Sequence, residues 1–231
     1  MSLKYIEARA ELESHIEAHI LHSEPAHTHA YENSIKKDLP IIAVSPVQGK
    51  FTSLLVALRG ARNVLEIGTL GGYSGIWLAR GLQGKGKLTS IEVDPHHRDV
   101  AIENLHYAGL KVPGDVEVLL GAGLDILPKL EEEIVQGKRE KFDFVFIDAD
   151  WKNQWNYFDW AVKLSKGPGS AIYVDNAVKQ ILESGIVGDQ ERVDDATDLV
   201  AKVGADSRVE ATMLQTVGAK SYDGFLLAVV K

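Results

Sequence analysis

The chain has 231 residues, of which 45% are hydrophobic and 25% charged, a composition typical of a folded globular protein rather than a disordered one. Its 25 basic and 33 acidic residues give a formal net charge of −8, which disfavours nucleic acid as a partner, and the lack of cysteine excludes disulfides and thiolate metal sites. No apolar run approaches the roughly 20 residues of a membrane span, and the N-terminus is too charged for a signal peptide. We therefore predict a cytoplasmic protein with no membrane partner.

The N-terminal part of the chain has helical patterns interrupted by prolines. Apolar side chains recur every three to four residues across residues 5–22, which predicts an amphipathic helix. Pro25 and the polar stretch up to Asn33 predict a break, and prolines bracket an extended segment at residues 41–44. The next pattern predicts a helix over residues 47–58.

Beyond Gly60, short apolar runs alternate with helical stretches. The runs that predict strands are residues 63–68, 88–93, 116–120, 142–148 and 171–175. The stretches between them that predict helices are residues 74–80, 96–108, 126–136 and 155–164. Because these strands are almost continuously apolar, we expect a parallel sheet covered on both faces, which is an open α/β fold.

The C-terminal region changes this pattern. A helix is predicted near residues 189–203, followed by strands at 208–217 and 222–230. The four residues between those strands are too few for a parallel crossover, so the pair is predicted to be an antiparallel hairpin. We interpret residues 1–231 as a single domain, in which an N-terminal helical extension (1–45) precedes the core fold (46–231).

Two features predict an adenosine-like ligand. In an open sheet, ligands bind beyond the carboxyl ends of the strands, and the first strand leads there into the glycine-rich turn at residues 68–74. Its G-x-x-G-G spacing differs from that of dinucleotide-binding loops. Glu92 closes the second strand, where a carboxylate can accept hydrogen bonds from both hydroxyls of a ribose. The alternative is a tight turn beside a solvated acid.

Acids also end two later strands. Asp148 and Asp150 follow one buried apolar run, and Asp175 and Asn176 follow the next. Charges at the end of an apolar strand are costly unless they are paired, hydrated or bound to a metal. Oxygen ligands of this kind suit magnesium, manganese or calcium. Capping of the following helices by aspartate is the alternative.

Four motifs carry a resemblance to a known family: V-L-E-I-G-T-x-x-G-Y-S at 64–74, I-E-V-D at 91–94, F-D-F-V-F-I-D-A-D at 142–150 and V-D-N at 174–176. With them, residues 41–231 resemble the cation-dependent O-methyltransferases, which include caffeoyl-CoA and catechol O-methyltransferases. The resemblance implies a Rossmann-like, seven-stranded methyltransferase fold and a homodimer. It also implies methyl transfer from S-adenosylmethionine to a hydroxyl of a small aromatic molecule, catechol-like or hydroxycinnamoyl-type.

The resemblance also implies roles for individual residues. It places S-adenosylmethionine against Val44, Ser45, Glu66, Gly68, Thr69, Gly72, Ser74, Glu92, Gly121, Ala122 and Asp148. It assigns a divalent cation, with magnesium as the first choice, to Asp148, Asp175 and Asn176. Such a cation lowers the pKa of a phenolic hydroxyl and orients its oxygen, while the protein contributes positioning. We therefore count Asp148, Lys152, Asp175 and Asn176 as candidate catalytic residues.

One departure from the family pattern leaves the general base open. Many members carry lysine directly after D-A-D, where this chain has Trp151 followed by Lys152. Either Lys152 swings in, or the metal alone acidifies the acceptor, or methyl transfer has been weakened or lost. Trp151 is also a candidate wall for a flat aromatic acceptor. The alternative functions are a cyclase or rearrangement catalyst, and a nucleoside-binding module, on the same scaffold.

Several histidines crowd the N-terminal segment. His15, His19 and His22 follow helical spacing, and His27 and His29 come soon after. We interpret them as a mixed polar face; the alternatives are a zinc site and, for one of them, contact to the acceptor.

Overall fold

The computed structural model describes residues 6–22 and 24–231, and it is built around one seven-stranded sheet. The strands are β1 (Asn63–Ile67), β2 (Lys87–Glu92), β3 (Val116–Leu120), β4 (Phe144–Ile147), β5 (Ala171–Val174), β6 (Val209–Val217) and β7 (Tyr222–Val230). Their order is β3-β2-β1-β4-β5-β7-β6. The first five are parallel, and β7 is antiparallel to both β5 and β6. The predicted α/β fold and C-terminal hairpin are confirmed.

Helices cover both faces of this sheet. They are α1 (Arg9–Ile20), α2 (Pro25–Lys36), α3 (Pro46–Arg59), α4 (Tyr73–Gly81), α5 (Pro95–Tyr107), α6 (Gly123–Val135), α7 (Gln154–Leu164), α8 (Ala177–Glu183) and α9 (Leu199–Gly204). A single 3-10 turn (Trp151–Asn153) follows β4. Within the described ranges, no helix is long and apolar enough to cross a bilayer.

Two predictions about helices were wrong, and one helix was not predicted. A helix, α2, stands where a break was predicted, because Pro25 occupies the first turn, where its missing N–H costs nothing. The predicted helix at residues 189–203 is reduced to α9, and the preceding helix α8 was not predicted. Helix α1 was predicted and is present; none of its residues is fully buried, but Ile16 packs against the core. The predicted start at Tyr5 lies outside the described residues.

The sequence of β4 is apolar throughout because both faces of the strand are buried. Val145 and Ile147 belong to the core on one face of the sheet, and Phe144 and Phe146 belong to the core on the other. All four are at most 1% exposed. Full burial of each side chain stabilises the fold by about 1.5–3 kcal/mol, so this central strand fixes the position of the polar residues that follow it.

Candidate active site at the carboxyl edge of the sheet

A cavity of about 810 Å³ opens at the carboxyl edge of the sheet. It lies beyond β1, β2, β4 and β5, as expected for ligands of open parallel sheets. The predicted cofactor residues that line it are Val44, Gly68, Thr69, Ser74, Glu92, Gly121, Ala122 and Asp148. Its volume lies within the range of about 300–1,000 Å³ common for small-molecule sites.

Gly68 allows the glycine-rich turn to cross the end of β4. Its φ is +101°, and a Cβ atom built there would lie 2.0 Å from the backbone oxygen of Asp148. No other residue fits at that position without moving the backbone. Gly72 also has positive φ, but it is absent from the cavity lining and instead forms the N-cap of α4.

Glu92 holds this turn against the end of β2. Its Oε2 accepts hydrogen bonds from the backbone N–H of Thr69 at 3.2 Å and of Leu70 at 2.7 Å. Its Oε1 accepts one from the N–H of Asp94 at 2.9 Å. Because the carboxylate also lines the cavity, it is placed to meet a ligand while it fixes the loop.

Glu66 lies behind the cavity rather than in its lining. Its side chain is fully buried and accepts hydrogen bonds from the hydroxyls of Ser74 and Ser90, each at 2.6 Å. Burial raises its pKa to about 7, and the two serine hydrogen bonds oppose that rise. Glu66 therefore ties the start of α4 to β2 from behind the cavity, and the cofactor contact that the resemblance implies for it stays a prediction.

Three oxygen-bearing side chains follow the tips of β4 and β5: Asp148 and Asn176 line the cavity, whereas Asp175 is buried and does not line it. Burial and the nearby carboxylate of Asp223 raise the pKa of Asp148 to about 6. The pKa of Asp175 is raised well above its ordinary value by burial and then by the charges of Asp148 and Asp223. Gln48 donates a hydrogen bond from Nε2 to Oδ1 of Asp175. Asn176 has left-handed backbone geometry and donates from Nδ2 to Oδ2 of Asp223 at 2.9 Å.

This donor set fits a hard divalent cation. Two carboxylates with raised pKa values repel each other, and a cation between them would remove that cost. With its Nδ2 engaged by Asp223, Asn176 retains its side-chain oxygen as a donor to metal. Across residues 6–22 and 24–231, no group of three His, Cys, Asp or Glu side chains is arranged to hold a metal ion.

Asp223 is the main site residue that the sequence analysis missed. It lines the cavity, and its Oδ1 accepts hydrogen bonds from the N–H groups of Lys179 and Gly224 at 2.9 and 2.8 Å. The residue is the second of β7, a strand that is far from β5 in the sequence but adjacent to it in the sheet. Only the strand order could have revealed this proximity, because no local motif surrounds Asp223.

The side chains of Trp151 and Lys152, which follow the D-A-D motif, point to different places. Trp151 lines the cavity, with the Lys179 ammonium 5.7 Å from the centre of its ring. The Lys152 side chain is 75% exposed, is not part of the cavity lining and stands 3.8 Å from a carboxylate oxygen of Asp195. Trp151 is therefore placed to contact an acceptor, whereas Lys152 would have to reorient to reach one.

The N-terminal histidines do not line this cavity. His15, His19 and His22 are exposed, consistent with the polar face that we predicted, while His27 is buried against Trp77.

Comparison with known proteins agrees with this architecture. Residues 20–229 match the model of the O-methyltransferase family. The chain is 41% identical to a protein named catechol O-methyltransferase from Mycobacterium tuberculosis, over 96% of each chain. The crystal structure of an O-methyltransferase from Bacillus cereus in complex with SAH is 42% identical, with a TM-score of 0.88 over 98% of this chain and all of that one. The O-methyltransferase TomG from Streptomyces achromogenes, in complex with SAM, is 37% identical, with a TM-score of 0.87 over 97% and 98% of the two chains.

The sheet order and the family match together define the class of protein. This chain belongs to the O-methyltransferase family. The recognition made from the four sequence motifs is confirmed at that level.

Proposed function

We propose that this enzyme transfers a methyl group from S-adenosylmethionine to a hydroxyl of a small aromatic molecule, catechol-like or hydroxycinnamoyl-type, with the help of a divalent cation. The observation that carries the proposal is that Asp148 and Asn176 line the cavity beside the glycine-rich turn, with the buried carboxyl of Asp175 near enough to Asp148 for that charge to raise its pKa. Relatives that bind SAH or SAM or are named for catechol support it. A cytoplasmic location and a homodimer remain predictions.

The donor would lie over the glycine-rich turn. S-adenosylmethionine supplies a methyl group on a positively charged sulfur. Glu92 is suited to accept a hydrogen bond from a ribose hydroxyl, because its two oxygens offer about four acceptor sites and three backbone N–H groups use three of them. Gly68 lets the backbone approach closely, and Ala122 lines the same cavity at the predicted adenine end.

Asp148, Asp175 and Asn176 together are called the oxygen cluster. The acceptor would lie between Trp151 and this cluster. A divalent cation lowers the pKa of a phenolic hydroxyl, whose ordinary value is near 10. Asp148, Asp175 and Asn176 would hold that cation, and Asp223 and Gln48 orient two of these three side chains. Trp151 offers a flat apolar face to the ring. The protein would accelerate the reaction mainly by positioning both reactants.

Chelation tests the proposal directly. Purified protein is incubated with labelled S-adenosylmethionine and catechol, and methylated product is measured with magnesium, with EDTA, and with EDTA followed by excess magnesium. We expect product, loss of product and recovery, in that order. Undiminished turnover in EDTA would show that the reaction does not need the cation. Cofactor binding without methylation of any catechol, hydroxycinnamoyl thioester or flavonoid would favour a non-methylating enzyme.

A further inference from the structure

A second cavity, of about 510 Å³, lies between α1, α3 and the β6–β7 hairpin, and we call it the hairpin chamber. It is bordered by Asp175, and it shares Asn176 and Asp223 with the first cavity. A molecule held in the hairpin chamber would therefore border the same oxygen cluster to which we assign methyl transfer.

The walls of the hairpin chamber are strongly apolar. Large side chains there remain open to solvent: Leu12 is 58% exposed, Ile42 70%, Phe51 38%, Leu214 52% and Val217 43%. They come from four separate parts of the chain and converge on one concave surface. Exposed apolar side chains that cluster in this way mark a binding surface, whereas scattered ones do not.

Apart from Asp175 and Asp223, the three charged groups along these walls are engaged by the backbone. The Glu13 carboxylate accepts a hydrogen bond from the N–H of Ala219 at 2.5 Å. The Lys220 ammonium donates to the carbonyl of Ala43 at 2.5 Å, and Arg9 donates to the carbonyl of Ile6 at 2.9 Å. Among the described residues of this lining, Arg9 and Lys220 are the cations, and they form no cluster of the kind that binds phosphate.

We propose that the hairpin chamber binds an uncharged apolar tail of the acceptor. The preferred substrate is then an aromatic diol that carries an alkyl or alkenyl chain, rather than an unsubstituted ring or a nucleotide thioester. This inference rests on the proposed function, because the oxygen cluster at the end of the hairpin chamber fixes which end of the molecule reacts. Each methylene buried there strengthens binding by up to about fourfold.

The test is a series of 4-alkylcatechols of increasing chain length. Steady-state methylation gives KM and kcat, and calorimetry in the presence of S-adenosylhomocysteine gives Kd without turnover. We expect KM and Kd to fall stepwise with chain length until the hairpin chamber is filled, while kcat changes little.

Two matched variants locate the tail. Leu214→Gln places an amide on the wall of the hairpin chamber, and Leu58→Gln makes the same change at an 83% exposed leucine that lines neither cavity. We expect the dependence of Kd on chain length to flatten in Leu214→Gln and to persist in Leu58→Gln. Equal slopes in the two variants, or no slope in the wild-type protein, would overturn the assignment of the hairpin chamber.

The outcomes separate this inference from the proposed function. Methylation without any effect of chain length refutes the tail site and leaves the methyltransferase intact. Tighter binding of longer chains without methylation of any diol refutes the proposed reaction and leaves the tail site intact. If sedimentation shows that Leu214→Gln dissociates a dimer and the wild-type Kd is independent of length, the hairpin chamber is an interface between two copies, and the inference fails.

Discussion

At the scale of single residues, His27 shows how much burial a neutral ring tolerates. It is 4% exposed, its ring centroid lies 3.7 Å from that of Trp77, and neither ring nitrogen has a hydrogen-bond partner in the described part of the chain. Burial lowers its pKa to about 4; the positive charges of Arg80 and Lys50 act in the same direction, and Glu24 opposes them. The folded protein therefore accommodates the uncharged imidazole.

We expect His27 to make the protein less stable in acid. Its pKa is 6.5 when unperturbed and about 4 in the fold, so its contribution is complete above pH 6.5 and is lost as the pH falls toward about 4. Melting temperatures of wild-type protein and His27→Phe across this window should diverge as the pH falls, with the variant losing less. His106→Phe, at an exposed histidine, serves as the control. A wild-type curve parallel to that of His27→Phe would contradict this account.

Lys152 supplies a second prediction at this scale. Because its ammonium is exposed and faces Asp195, we expect Lys152→Ala to retain most of the wild-type methylation rate and an unchanged pH–rate profile. The metal would then be the group that acidifies the acceptor. A large loss of kcat, together with a shift of one limb of the pH–rate profile, would show instead that Lys152 reorients during turnover and acts as the base.

The residues of the oxygen cluster were predictable individually, because Asp148, Asp175 and Asn176 each end or follow an apolar strand. Their supporting residues were not. Gln48 comes from a helix and Asp223 from the last strand, and neither carries a local signal that ties it to the site. Such long-range contacts depend on strand order rather than on any single segment.

At the scale of elements, strands were easier to predict than helices. A strand buried on both faces has a continuous apolar run, as in β4, and this signal needs no knowledge of its neighbours. The short helices α2 and α8 have weak patterns, since α2 is rich in polar residues and α8 has only seven residues. Packing against the rest of the fold, rather than propensity, stabilises elements of this length.

The glycine-rich turn gives a prediction for an element. Gly68→Ala should lower the melting temperature and weaken binding of S-adenosylmethionine, because the new methyl group would collide with the end of β4. Gly60→Ala is a matched control: Gly60 also has positive φ, at +62°, but nothing lies within 4 Å of its built Cβ. The control should show only the strain of left-handed backbone, about 1 kcal/mol in unfolding free energy. Equal losses of stability and of cofactor binding in the two variants would show that the contact between residue 68 and the end of β4 is not the cause.

At the scale of the whole molecule, the open sheet gathers acids from distant segments at one edge. The carboxyls of Glu66, Asp148 and Asp175 all have raised pKa values, chiefly because they are buried. For a group of this kind, the folded state holds its proton more tightly than the unfolded state does. The stability that this contributes is present at low pH and is lost as the pH rises through the raised pKa.

Magnesium should therefore stabilise the fold more as the pH rises. Asp148 has an ordinary pKa of 3.8 and a pKa of about 6 in the fold, so it loses its proton, and gains affinity for a cation, mainly around pH 6. We expect the rise in melting temperature on adding magnesium to grow from about pH 5 to about pH 7, following binding linkage. Asp175→Asn should abolish most of this rise. A shift that is equal at every pH would contradict the assignment of Asp148.

The position of β7 has a consequence for how the enzyme is made. This last strand inserts between β5 and β6, and it brings Asp223 to the side chain of Asn176. Until β7 has paired with β5 and β6, the folding chain has every motif of the cofactor loop but lacks the partner that orients Asn176. We therefore expect cofactor binding to be possible before β7 joins the sheet, and methyl transfer only afterwards.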